Sequence, residues 1–134
     1  MRLQHFIDRL ERFSALHGIA VFRTPLSPWV LGRMDDKQIV LRSGLSKEGQ
    51  LLTLLHELTH FLVHTDAQLN RTVCEYEAEA VEKLVGGQLG LKDSMGLAID
   101  LGSVTDDLLA CSVVRVRRVA RTLLSAALES RAPR

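Results

Sequence analysis

Leu3, Phe6, Ile7, Leu10 and Phe13 recur at helical spacing and Gly18 follows as a stop, so the pattern predicts an amphipathic helix over residues 2 to 17. From Ile19 the pattern turns to short extended pieces. Ile19 to Phe22, Trp29 to Leu31 and Gln38 to Arg42 read as strands, separated by Pro25, Pro28 and the polar turn Asp35-Asp36-Lys37. A small antiparallel sheet fits them. Ser46, with Glu48 in the first turn, caps a second helix running to about Thr65, whose Leu51, Leu54, Leu55, Leu58, Phe61 and Leu62 gather on one side. A third helix is expected from Thr72 to about Leu89, stopped by Gly90 and weakened inside by Gly86-Gly87. Residues 91 to 103 read as a connection. Thr105, Asp106 and Asp107 then open a last helix to about Leu128, with Leu108, Leu109, Val116, Val119, Ala120 and Leu123 on its apolar side. The expected fold class is α+β, a small sheet packed on a layer of about four helices.

A chain of 134 residues with this pattern reads as a single domain, 1–134, able to bury a core without disulfides. Lys and Arg number 17 against 16 Asp and Glu, which gives no global pull toward nucleic acid or an anionic membrane. Cys74 and Cys111 form neither a dense framework nor a CxxC pair, and reduced thiols in a cytoplasm are the expectation. The charges of the first helix exclude a signal-peptide apolar region there and no apolar run reaches membrane-spanning length, so a soluble, intracellular protein is the expectation.

Chemistry enters with His56-Glu57-Leu58-Thr59-His60, which lies inside the second helical pattern. Two imidazoles at i and i+4 lie about 40° apart on a helix and can bind one tetrahedral ion, while the carboxylate beside the first reaches the open ligand position. The histidines point away from the leucine side. Such a site needs one more protein ligand, and the acidic cluster Glu75-Tyr76-Glu77-Ala78-Glu79 follows on the next helix. At about 100° per residue, Glu77 falls within the stripe of Val73, Ala80, Val81 and Leu84, whereas Glu75, Glu79 and Glu82 fall opposite. A carboxylate on a packed face needs a partner, and a divalent cation is a sufficient one, so Glu77 is the expected third ligand. Glu75 competes for that place, but Thr72-Val73-Cys74-Glu75 also reads as a capping box, and Glu79 and Glu82 read as solvated.

With these residues in view the chain resembles the ImmA/IrrE family of small gluzincin metallopeptidases and the zincin domain of ArdC-type antirestriction proteins. The similarity rests on Gln38-Ile39-Val40-Leu41 and Gly44-Leu45-Ser46 leading into Leu54-Leu55-His56-Glu57-Leu58-Thr59-His60-Phe61-Leu62-Val63-His64, and on Glu77-Ala78-Glu79-Ala80 as an E-x-E-A pattern. In that pattern the first glutamate is the ligand. Many members carry Asn or Asp two residues after the second glutamate, where this chain has Val81, and the tail from Leu89-Gly90-Leu91 is more similar to the ArdC-type domain. The resemblance implies a zincin-like fold with HExxH on the second helix.

The expected function is therefore that of a zinc-dependent metallo-endopeptidase. His56, His60 and Glu77 would hold Zn²⁺, Glu57 would act as general base, and an intracellular regulatory protein or peptide would be the substrate. The alternative is a noncatalytic, zinc-stabilised interaction module in DNA-linked defence or regulation. His64 extends the histidine stripe but sits about 12 Å along the axis from His56, and Tyr76 offers a hydroxyl; both are weak candidates for an oxyanion contact. Arg115, Arg117, Arg118 and Arg121 invite a nucleic-acid reading, yet a solvated helix face explains the last three.

Overall fold

Glycine in the left-handed region ends two of the helices, and the geometry shows why. In the computed structural model, which describes residues 2–63, 70–91 and 106–128 (side chains of the last stretch from Ala110), α1 spans Arg2–Leu16. Gly18 then adopts φ 75°, and the Ile19 amide reaches back to the Ser14 carbonyl at 2.9 Å. The other elements are β1 (Ala20–Thr24), β2 (Gly32–Asp35), β3 (Gln38–Arg42), α2 (Lys47–Val63), α3 (Arg71–Gln88) and α4 (Asp106–Leu128). The end of α3 repeats the device, with Gly90 at φ 89° and the Leu91 amide on the Gly86 carbonyl at 2.8 Å.

The sheet is mixed rather than antiparallel. Its order is β1-β3-β2, with β1 parallel and β2 antiparallel to β3. Ile39, Val40 and Leu41 are all buried, the mark of a central strand covered on both faces. The tight turn at Asp36-Lys37 gives β2 one edge of β3, and residues 25–31 carry the chain across so that β1 takes the other edge in parallel. The expected strand at Trp29 to Leu31 starts later, at Gly32, and Trp29 is 90% exposed. Gly32 is needed where β2 crosses α2: a Cβ there would lie 2.5 Å from Thr53 Cγ2.

The helical layer is built around α2, which touches α1, α3, α4, β2 and β3. Ser46 caps it, its Oγ accepting from the Gly49 amide at 3.0 Å. Leu51, Leu54, Leu55 and Leu58 are fully buried against Phe6, Ile7 and Leu10 of α1, Ile39 and Leu41 of β3, and apolar residues of α3 and α4. Each buried leucine contributes about 1.5–3 kcal/mol, so a site mounted on α2 rests on the least displaceable element of the fold. Gly86, read from sequence as a weakness, lets α3 approach α2, since a Cβ there would meet Leu52 at 3.2 Å. Among the described residues no helix is long and apolar enough to cross a membrane. Cys74 and Cys111 are free thiols.

Candidate metal centre

His56 and His60 are one turn apart on the partly exposed side of α2, with ring centroids 4.8 Å apart and Nε2 atoms 3.2 Å apart. The carboxylate that meets them comes from Glu75 of α3, with Oε1 3.0 Å from His60 Nε2 and Oε2 3.3 Å from His56 Nε2. The three side chains form a group able to hold a metal ion. Ligand bonds of about 2.0–2.1 Å in a tetrahedral arrangement separate ligand atoms by about 3.3 Å, so these spacings suit a small divalent cation.

Behind His56, Nδ1 lies 2.5 Å from Glu82 Oε1. Glu75 and Glu82 are seven residues apart on α3 and so share the face turned to α2. Burial alone would lower the His56 pKa, but hydrogen bonds to Glu75 and Glu82, reinforced by the charges of Glu82 and Glu57, raise it to about 10. The same imidazoles hold Glu75 well below the usual carboxylate range against the opposing effect of burial. Glu57 is 7% exposed. Burial raises its pKa, Glu75 and Glu82 push it further up, and the charges of His56 and His60 only partly offset this. A buried carboxylate with an elevated pKa beside two imidazoles is suited to accept and return a proton.

Glu77 is not at this centre. It is 1% exposed and faces α4, where Ser112 Oγ donates to Oε2 at 2.5 Å and Arg115 approaches through NH2 at 2.8 Å and Nε at 3.0 Å. The inward direction inferred from the helical stripe is the one observed, but the charge that meets it is a guanidinium. Arg115 thereby leaves the group with Arg117, Arg118 and Arg121, which are exposed on α4. The capping reading of Glu75 is also corrected: α3 starts at Arg71, and the cap is Asn70, whose side chain accepts from the Val73 amide at 3.1 Å. Glu75 is released for the histidines. Glu82, read as solvated, is the His56 partner. Tyr76 is half-buried on α3, and His64 lies outside the described residues.

Two sequence signals pointed to this arrangement. The E-x-E-A pattern occurs twice, as Glu75-Tyr76-Glu77-Ala78 and as Glu77-Ala78-Glu79-Ala80, and only the first register puts its leading carboxylate on the histidines. The second signal is the acidic stripe of Glu75 and Glu82 itself.

A model of the IrrE N-terminal-like domain (Peptidase_M78) matches residues 15–124, from the end of α1 into α4. The chain belongs to that family. No significant match was found among curated proteins or among solved structures. For an IrrE N-terminal-like domain, the family implies a metal-dependent peptidase-type function, and His56, His60 and Glu75 are a group that could hold the ion. The α+β arrangement of four helices and a small mixed sheet is consistent with a zincin-like layout.

Proposed function

We propose that the protein is a zinc-dependent metallo-endopeptidase acting on a protein or peptide substrate. The observation that carries this is the convergence of two Nε2 atoms and a carboxylate at 3.0–3.3 Å, with the buried Glu57 alongside. His56, His60 and Glu75 would hold Zn²⁺. When bound, zinc polarises a carbonyl and lowers the pKa of a bound water to about 7. Glu82 accepts the Nδ1–H of His56, which fixes the ring and leaves Nε2 as the ligand atom. Glu57 takes the proton of the attacking water and returns it to the leaving nitrogen. β2 is an edge strand that crosses α2 at Thr53, one turn before Glu57 and on the same face. An extended substrate adding to that edge would be carried past the carboxylate. A noncatalytic zinc module does not require a buried acid at position 57, whereas a hydrolytic site does.

The direct test is digestion of unfolded proteins and a mixed peptide library by the zinc-loaded protein. Cleavage that stops with a chelator and returns on adding zinc is expected. A protein that binds zinc and cleaves nothing would overturn the enzymatic reading.

The His56 environment adds a pH dependence. With a pKa raised from 6.5 to about 10, metal-free His56 is protonated through neutral pH, and an incoming cation must displace that proton. Zinc affinity, read by chelator competition from about pH 6.5 to 8.5, should rise about tenfold per pH unit, with one proton released. A flat profile would contradict the arrangement. For the metal-free fold the sign is opposite: the raised His56 contributes stability fully below 6.5 and loses it as pH rises through about 10. The depressed Glu75 contributes above its ordinary 4.5 and loses its contribution as pH falls.

A further inference from the structure

The Glu77–Arg115–Ser112 cluster stands on the face of α3 opposite the metal centre, and α3 lies between α2 and α4. Glu75 and Glu77 are two residues apart, hence about 200° apart around the axis. Whatever fixes the direction of one fixes the other. The remaining inward residues of α3, Val73, Ala78, Val81, Val85 and Gly86, choose the buried face through apolar contacts, which lack the angular precision of a hydrogen bond.

We propose that Ser112 and Arg115 are positioning residues for the metal centre: by holding the buried Glu77 carboxylate they set the roll of α3 about its axis, and with it the placement of Glu75 against His56 and His60. This rests on the metal-centre reading above. A roll of about 20° would carry a group about 5–6 Å from the axis through roughly 2 Å. Functional constellations tolerate about 0.5 Å. The fork of Arg115 spans both carboxylate oxygens, with Nε 3.1 Å from Oε1 and NH2 2.8 Å from Oε2, and so restrains rotation as a single contact would not. Ser112 adds a second fixed direction from the previous turn of α4.

The test compares Arg115→Met, Arg115→Lys and Ser112→Ala with Ile7→Ala, a control that destabilises the fold from α1. Zinc affinity is measured by chelator competition, the site by the visible spectrum of the cobalt-loaded protein, and stability by thermal unfolding of the metal-free forms. Arg115→Met should weaken zinc binding about tenfold and alter the cobalt spectrum, at the lower end of effects seen for groups outside the ligand set. Arg115→Lys should recover part of both, and Ser112→Ala should show a smaller loss. Ile7→Ala should lower the unfolding temperature and move neither metal readout. If Arg115→Met does not fold, Arg115→Lys and Ser112→Ala carry the comparison. Wild-type affinity and spectrum in the α4 variants, or an equal loss in Ile7→Ala, would overturn the inference. A wild-type protein that takes up neither zinc nor cobalt would overturn the metal-centre reading itself, before any variant is compared.

Discussion

Glu57→Gln should leave the protein folded and zinc-loaded while lowering turnover about 10²–10⁴-fold, the usual contribution of a positioned general base. Gln has nearly the shape of Glu, so the mostly buried position beside the histidines keeps its packing. What is lost is the ability to hold a proton between water and the leaving nitrogen. KM should change little, because strand addition along β2 does not involve residue 57. Stability offers a second readout of opposite sign. The pKa of Glu57 is raised, first by burial, so its ionised form opposes folding above the ordinary carboxylate pKa. The Gln variant should therefore unfold at the same temperature as the wild type or higher. Undiminished peptide hydrolysis would remove Glu57 from its role, whereas loss of zinc along with activity would show that the substitution had disturbed the ligands instead.

The parts of the fold legible in the sequence are those decided within a few residues. The Gly18 and Gly90 stops, the Ser46 cap and the leucine side of α2 each depend on local backbone geometry or on helical period. The pairing of β1 with β3 depends on how residues 25–31 cross the sheet, and an alternation of apolar residues does not distinguish a parallel from an antiparallel neighbour. The α3 carboxylates divide in the same way. Helical period shows that Glu77 points inward, since that angle is local. It does not show which cation waits there, and Arg115 is 38 residues away along the chain. A rule that seeks a partner for the buried acid therefore favours Glu77 as the ligand. In the structure, the partly exposed Glu75 meets the histidines. The competing capping pattern at Thr72 hid it, although Asn70, two residues earlier, is an equally good cap by residue type.

Alanine at Glu75 and alanine at Glu77 should therefore fail in opposite ways. Glu75→Ala removes the carboxylate that lies 3.0 Å from His60 and 3.3 Å from His56. Zinc affinity should fall by at least about a hundredfold, because outer-shell partners alone are worth about 10–100-fold and this group would be a ligand. The metal-free protein should lose only a modest part of its stability at neutral pH, since Glu75 is partly exposed and solvent screens much of what its ion pairs with the histidines contribute. Glu77→Ala instead leaves the Arg115 guanidinium without its carboxylate at the α3–α4 interface and opens a void behind it. Breaking a buried pair in this way costs about 3–5 kcal/mol, toward the lower figure here because Arg115 reaches the surface. Its zinc affinity, measured on the fraction that remains folded, should fall only about tenfold, as expected of a positioning contact rather than a ligand. Urea unfolding and chelator competition on both variants separate the two roles. The reverse pattern, with zinc retained by Glu75→Ala and lost from folded Glu77→Ala, would return the ligand role to Glu77 and require α3 to turn by about half a revolution from the arrangement described.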